Sequence, residues 1–126
     1  MKPPRIEAVD RIVLEAHDHR REALREFYGE VIGLQELDCE SVDSGLRFGA
    51  PRLDLCIHFV ESPEVDALTT RLVVGVPALN RKESELNERS IPFRRRRGLS
   101  WTDRRLVLLD PAGNRIELKQ QWPPVF

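Results

Sequence analysis

Two short segments of this chain recur. Arg11-Ile12-Val13-Leu14 returns 60 residues later as Arg71-Leu72-Val73-Val74, and Arg52-Leu53-Asp54-Leu55 returns 63 residues later as Arg115-Ile116-Glu117-Leu118. Each half therefore opens with an arginine-led apolar strand and closes on a strand that carries a carboxylate. A repeat of this length is a duplicated module, and such modules commonly place their shared site where the halves meet. The chain thus puts two arginines and two acids at corresponding points of two similar units.

At 126 residues the length allows one domain with one core. Within a single domain spanning 1–126, the repeat sets module one at about 6–60, a joining stretch at about 61–69 and module two at about 70–121. Lys+Arg 20 against Asp+Glu 21 gives a net charge of −1, which offers nucleic acid or a membrane surface no general attraction. No apolar run approaches the roughly 18 residues of a spanning helix. Met1-Lys2-Pro3-Pro4-Arg5 lacks the apolar centre of a signal peptide, so a cytoplasmic location is expected. Cys39 and Cys56 form neither a CxxC pair nor a disulfide framework.

The pattern along the chain predicts strand, helix and three strands, twice. Val9 to Glu15 is a short apolar strand. Leu24, Phe27, Tyr28 and Val31 then follow helical spacing, with Gly33 as the stop. Leu34–Cys39, Gly45–Gly49 and Leu53–Val60 read as strands, separated by turns at Asp43-Ser44-Gly45 and Gly49-Ala50-Pro51. Alternation in the last of these sets Asp54, Cys56 and His58 on one side and Leu53, Leu55 and Ile57 on the other. In the second half, Leu72–Val76 is a strand and Pro77 suits the first turn of a helix over Ala78–Arg89, anchored by Leu79 and Leu86. Phe93–Arg97, Ser100–Leu109 and Arg115–Gln120 complete the module. Asp110-Pro111-Ala112-Gly113 has the residue order of a type I turn and presents Glu117. This order of elements is that of an α+β fold rich in antiparallel pairing.

Three segments carry a family resemblance: Asp10-Arg11-Ile12-Val13-Leu14, the stretch Glu26-Phe27-Tyr28-Gly29-Glu30-Val31-Ile32-Gly33-Leu34, and Asp110-Pro111-Ala112-Gly113-Asn114-Arg115-Ile116-Glu117-Leu118. In order and spacing the chain resembles the vicinal oxygen chelate superfamily, which includes glyoxalase I, fosfomycin- and bleomycin-resistance proteins and extradiol dioxygenases. The resemblance runs from Val9 to Leu118. It implies two tandem βαβββ modules forming a curled mixed sheet around a cup-shaped site, and a homodimer. In metal-using members, the resemblance further implies, four side chains hold a divalent ion, two from the first strand of each module and two from the last. The matching positions here are Arg11, Asp54, Arg71 and Glu117.

Two of those four cannot ligate a cation. A guanidinium has five donors, no acceptor, and stays protonated. The expectation is therefore a chain without the metal centre of the family and without another cofactor. On one reading each arginine neutralises a carboxylate inside a polar site. On the other, Arg11 and Arg71 keep donors for a small anionic ligand, with Asp54, Glu117 and His58 beside it. Asp54 or Glu117 would be the catalytic base if the protein is an enzyme, although carboxylates among cations make weak bases. The alternative is a metal-dependent lyase, isomerase or dioxygenase with shifted ligands, Glu117, Asp54 and His58; a third is a structural or regulatory dimer. His17 and His19 match no ligand position and read as surface residues. Trp101 and Trp122 suit either the lining or the rim of a site. The run Arg94–Arg97 alternates faces in a strand, so it forms no single basic patch; it serves as a charged sheet edge, and a pair of its arginines turned towards the site would add to the case for an anionic ligand.

Overall fold

Leu24, Phe27, Tyr28 and Val31, whose spacing predicts one helical face, are all buried in the computed structural model. The structure describes residues 10–38, 45–98 and 103–121. Cys39, the first part of the Asp43-Ser44-Gly45 turn, Trp101 and Trp122 lie outside the described residues. The chain divides into two compact units after Glu64, within the stretch expected to join the modules.

Unit one runs β1 (Asp10–Ala16), a 3-10 turn (Asp18–Arg20), α1 (Arg21–Glu26) continuing as a π-helical segment (Phe27–Ile32), then β2 (Gln35–Leu37), β3 (Leu46–Ala50) and β4 (Leu53–Phe59). The π-helical turns are wider than α turns, and they bring Ile32 into the core next to Val31. Gly33 ends the helix at φ +91, a backbone conformation that only a residue without a Cβ enters cheaply. Tyr28 seats the helix on the sheet, its ring centroid 5.8 Å from that of Phe48 on β3.

Unit two repeats the plan with β5 (Thr70–Val76), α2 (Leu79–Glu88), β6 (Arg94–Arg97), β7 (Arg104–Leu109) and β8 (Arg115–Gln120). Leu79 and Leu86 are the buried anchors of α2. Pro77 does not stand in the first helical turn: Ala78 is the N-cap and Pro77 precedes it. Ala78 has no side chain able to cap, and Gln120 of β8 takes that task, its Oε1 accepting from the Leu79 N–H at 3.0 Å.

The sheets follow the order β1-β4-β3-β2 and β5-β8-β7-β6, with each unit's first and last strands paired in parallel at one side of the sheet and the other pairs antiparallel. This corrects one expectation. The modules and the mixed pairing are present, but neither sheet is closed or strongly curled, so there is no cup formed by a curled sheet. Four strands twisting about 20–25° between neighbours give an open sheet, whereas closure takes roughly eight. Each sheet buries one face under its own helix. Leu14, Ala16, Phe48, Leu55 and Ile57 line that face in unit one, and Leu72, Val74, Leu106, Ile116 and Leu118 in unit two. The opposite face of each sheet carries the polar residues.

Candidate functional site

Alternation along β4 puts Asp54 on the open face of the first sheet, and the parallel register places Arg11 of β1 directly beside it. On the other side, Arg47 of β3 pairs with Cys56 and so lies diagonal to Asp54. All three side chains meet. Arg11 donates from Nε and Nη2 to Asp54 Oδ2 at 3.3 and 3.2 Å. Arg47 donates from Nε to Oδ1 at 2.9 Å and from Nη2 to Oδ2 at 3.2 Å, a two-pronged contact. Asp54 is 7% exposed, while the Arg11 side chain is 69% exposed and keeps donors in water.

These contacts set the charge state. Hydrogen bonds from Arg47 hold the Asp54 carboxyl below its ordinary value; burial pushes the other way, and Arg11 adds to the lowering. Arg52, in the turn just before β4, stands exposed with φ +66, a conformation uncommon for a residue with a Cβ. Arg11, Arg47, Arg52 and Asp54 line an open cleft of about 680 Å³ with Gln35 and Leu37.

Glu117 occupies the corresponding position in unit two and is buried more deeply, at 2% exposed. Its partners are not the expected ones. Arg96 of β6 donates to Oε1 at 2.8 Å, Arg105 of β7 stands 3.9 Å from Oε2, and the Thr70 side chain also hydrogen-bonds it. Burial alone would raise the Glu117 pKa; the Thr70 contact, then Arg96 and Arg105, outweigh it, and the net shift is downward.

Arg71 takes no part. The register of β5 against β8 slips between Thr70 and Leu72, leaving Arg71 as the residue without a counterpart, and Val73 faces Glu117. The echo of Arg11 in Arg71 is therefore two positions out of step with the structure: the residue that stands where Arg11 stands is Val73. Arg71 is exposed, and its electrostatic neighbour is Asp66 in the preceding loop.

His58 shares the open face with Asp54 but lies four residues along the same strand, about 13 Å away at strand rise, opposite Glu15 of β1. The two cannot grip one ion together. Among the described residues no three His, Cys, Asp or Glu side chains form a group able to hold a metal. Both carboxylates of the repeat accept from guanidiniums, which supply positive charge where a cation would need lone pairs. His17 and His19 lie against each other in the exposed 3-10 turn, Nδ1 to Nδ1 at 2.6 Å. Cys56 borders Asp54, with Sγ 3.9 Å from Oδ1.

Arg47 and Arg105 are site residues that sequence reading missed, and Arg96 belongs to the run of which it let one pair face the site. A signal for them existed. Lys119 pairs with Arg105 as Cys56 pairs with Arg47, so the two arginines are repeat equivalents, each diagonal to its carboxylate. The arginine run divides by parity, as alternation predicts. Arg94 and Arg96 share the open face with Val107 and Glu117, while Arg95 turns to α2 and pairs with Glu83. Asp110 braces the turn that leads into β8, its Oδ1 accepting from Ala112 and Asn114 N–H, both at 2.9 Å. No helix among the described residues is long and apolar enough to cross a membrane.

The chain is similar in fold to a protein assigned to the glyoxalase family from Bacillus anthracis, with 22% identity over 95% of this chain and 99% of that one and a TM-score of 0.80. It is similar to TnmS3, an antibiotic binding protein from Streptomyces sp. CB03234, at 22% identity over 91% and 96% of the two chains with a TM-score of 0.69. Lactoylglutathione lyase from Agrobacterium tumefaciens matches at 19% identity over 98% and 100%, also with a TM-score of 0.69. No family profile and no curated protein sequence matches. The fold is that of the vicinal oxygen chelate superfamily. At these identities the likeness speaks to the fold alone, and the chemistry has to come from the residues.

Proposed function

We propose that this protein binds a small anionic molecule on the open face of its first unit, held by Arg11 and Arg47, without the divalent ion used by metal-dependent members of its superfamily. One observation carries the reading: three guanidiniums, those of Arg11, Arg47 and Arg52, line one cleft against the single carboxylate of Asp54. That cleft falls within the range of about 300–1,000 Å³ typical of small-molecule sites. The Asp54 carboxylate is occupied by Arg47, and the mostly exposed Arg11 supplies donors in a planar fork suited to a carboxylate or phosphate.

Binding fits these residues better than acid–base catalysis. Both carboxylates have lowered pKa values, and a carboxylate stabilised in its charged form is a poor proton acceptor. Arg71, standing apart from Glu117, has no place in the proposed contact.

Isothermal titration of the purified protein with small dicarboxylates and phosphate esters tests the reading. Saturable binding that weakens about tenfold or more in Arg11→Ala, the loss of a charge-assisted hydrogen bond, is the expected result. Unchanged affinity in that variant would remove Arg11 from the role. Elemental analysis gives the second arm: a stoichiometric divalent metal that disappears in Glu117→Ala would replace this reading with a metal-dependent one.

A further inference from the structure

Unit two has an open face of a different character. Next to the Glu117 cluster, a cleft of about 590 Å³ is lined by Phe93, Val107 and Leu109 together with Arg94, Arg96 and Arg115, and no carboxylate lines it. The register explains the arrangement. Across β7, Arg94 stands beside Val107 and Arg115 beside Leu109, so two arginines from the flanking strands bracket an apolar strip on the central one. Leu109, the last residue of β7, is 51% exposed.

The cations are differently engaged. Arg96 is committed to Glu117. Arg115 holds the Leu68 carbonyl through Nη1 at 3.1 Å, yet its Nε is buried and has no hydrogen-bond partner. A buried donor without an acceptor costs on the order of 1–3 kcal/mol, so such atoms point to a missing group. Arg94 is exposed and forms no ion pair among the described residues. Unmatched positive charge over an apolar floor is complementary to one chemical class, an anion with a hydrophobic body.

We propose that the second unit carries its own site, in which Arg94 and Arg115 hold the carboxylate of an aryl or alkyl carboxylic acid whose apolar body lies on Val107, Leu109 and Phe93. This site is built from residues of the second unit and is independent of the Arg11 reading. It differs in kind from the first cleft, whose lining is polar and takes the anion without demanding an apolar body.

Calorimetry of the full chain with 1-naphthoate and decanoate tests it against the matched alcohols, 1-naphthalenemethanol and decanol. Saturable binding of at least one acid, with the matched alcohol about tenfold weaker or more, is expected from the loss of a charge-assisted contact. Inorganic phosphate should not compete, because it lacks the apolar body. Arg94→Gln and Leu109→Asp should each weaken the acid about tenfold, and Arg71→Ala, exposed and lining neither cleft, should leave it unchanged. Arg94 is exposed, so its substitution reads binding even if Arg115→Gln fails to fold; circular dichroism confirms the fold of each variant. Three results would overturn the proposal: neither acid binding at millimolar concentration, alcohols binding as tightly as acids, or affinity insensitive to Arg94 and Leu109. Loss of naphthoate binding in Arg11→Ala alone would transfer the ligand to the first cleft.

Discussion

The two units solve one electrostatic problem with different second partners. Each places a carboxylate at the same point of its last strand, Asp54 or Glu117, and each sets an arginine from the neighbouring antiparallel strand diagonal to it, Arg47 or Arg105. The second arginine comes from opposite sides. In unit one Arg11 reaches across from β1; in unit two that position is Val73, and Arg96 reaches in from the sheet edge beyond β7. The equivalent of Arg96 in unit one is Leu37, opposite Arg47 as Arg96 is opposite Arg105. What the duplication retains is a charge-matched carboxylate, and a buried carboxylate needs compensation from wherever the neighbouring strands can supply it. The consequence for function is an asymmetry. Arg11 remains 69% exposed over a polar cleft, whereas Glu117 and its partners border an apolar one.

The comparison breaks first at Arg96. Arg96→Ala removes the 2.8 Å donor from a carboxylate only 2% exposed, and a loss of about 2–3 kcal/mol in urea unfolding is expected. Arg11→Ala should cost less than about 1 kcal/mol, because Arg47 still grips Asp54 through both nitrogens and Arg11 faces water. Equal losses in the two variants would mean that the units do not differ in this respect.

The pH dependence sharpens the same contrast. Both carboxyls are depressed below their ordinary values of 4.5 for Glu117 and 3.8 for Asp54. Their stabilisation is therefore complete above those values and fades as the pH falls through the lower values of the folded state. A plot of melting temperature against pH should be flat near neutrality and fall in acid. In Glu117→Gln that acid limb should be shallower, and an unchanged limb would show that the fall has another source.

A transplant probes equivalence directly. Val73→Arg places a guanidinium opposite Glu117, as Arg11 stands opposite Asp54, and in the Arg96→Ala background it should restore about 1 kcal/mol. The double-mutant cycle measures that coupling, and no recovery would show that the two first strands are not interchangeable. The smallest effect belongs to Arg71→Ala. Exposed at the register slip and away from Glu117, it should change stability by less than about 0.5 kcal/mol.

Much of the fold was legible in the chain. The helical face of Leu24, Phe27, Tyr28 and Val31, the stop at Gly33, the anchors Leu79 and Leu86 and the braced turn at Asp110 all follow local patterns, and the structure contains each of them. The site was legible in part. Alternation put Asp54 and Glu117 on polar faces, and parity split Arg94–Arg97 between two faces, with Arg95 on the helix side. What failed was the equivalence of Arg71 with Arg11. A matched four-residue segment locates a strand, but cross-strand register, which sets Val73 and not Arg71 opposite Glu117, decides which residue meets the carboxylate, and no local pattern announces it. The expected curled sheet failed for a related reason: closure depends on strand number, twist and stagger, which are properties of the assembled sheet.

Sequence alone determined that two similar modules exist, which elements build them, and which side of each strand a residue occupies. Those properties depend on periods of about two and 3.6 residues, which are local to the chain. Tertiary structure decided the partners. Arg47, Arg96 and Arg105 reach the carboxylates, and Arg71 does not, because cross-strand register is fixed by packing the apolar faces of all four strands at once. Charge seeks its complement only after that packing has placed the backbone.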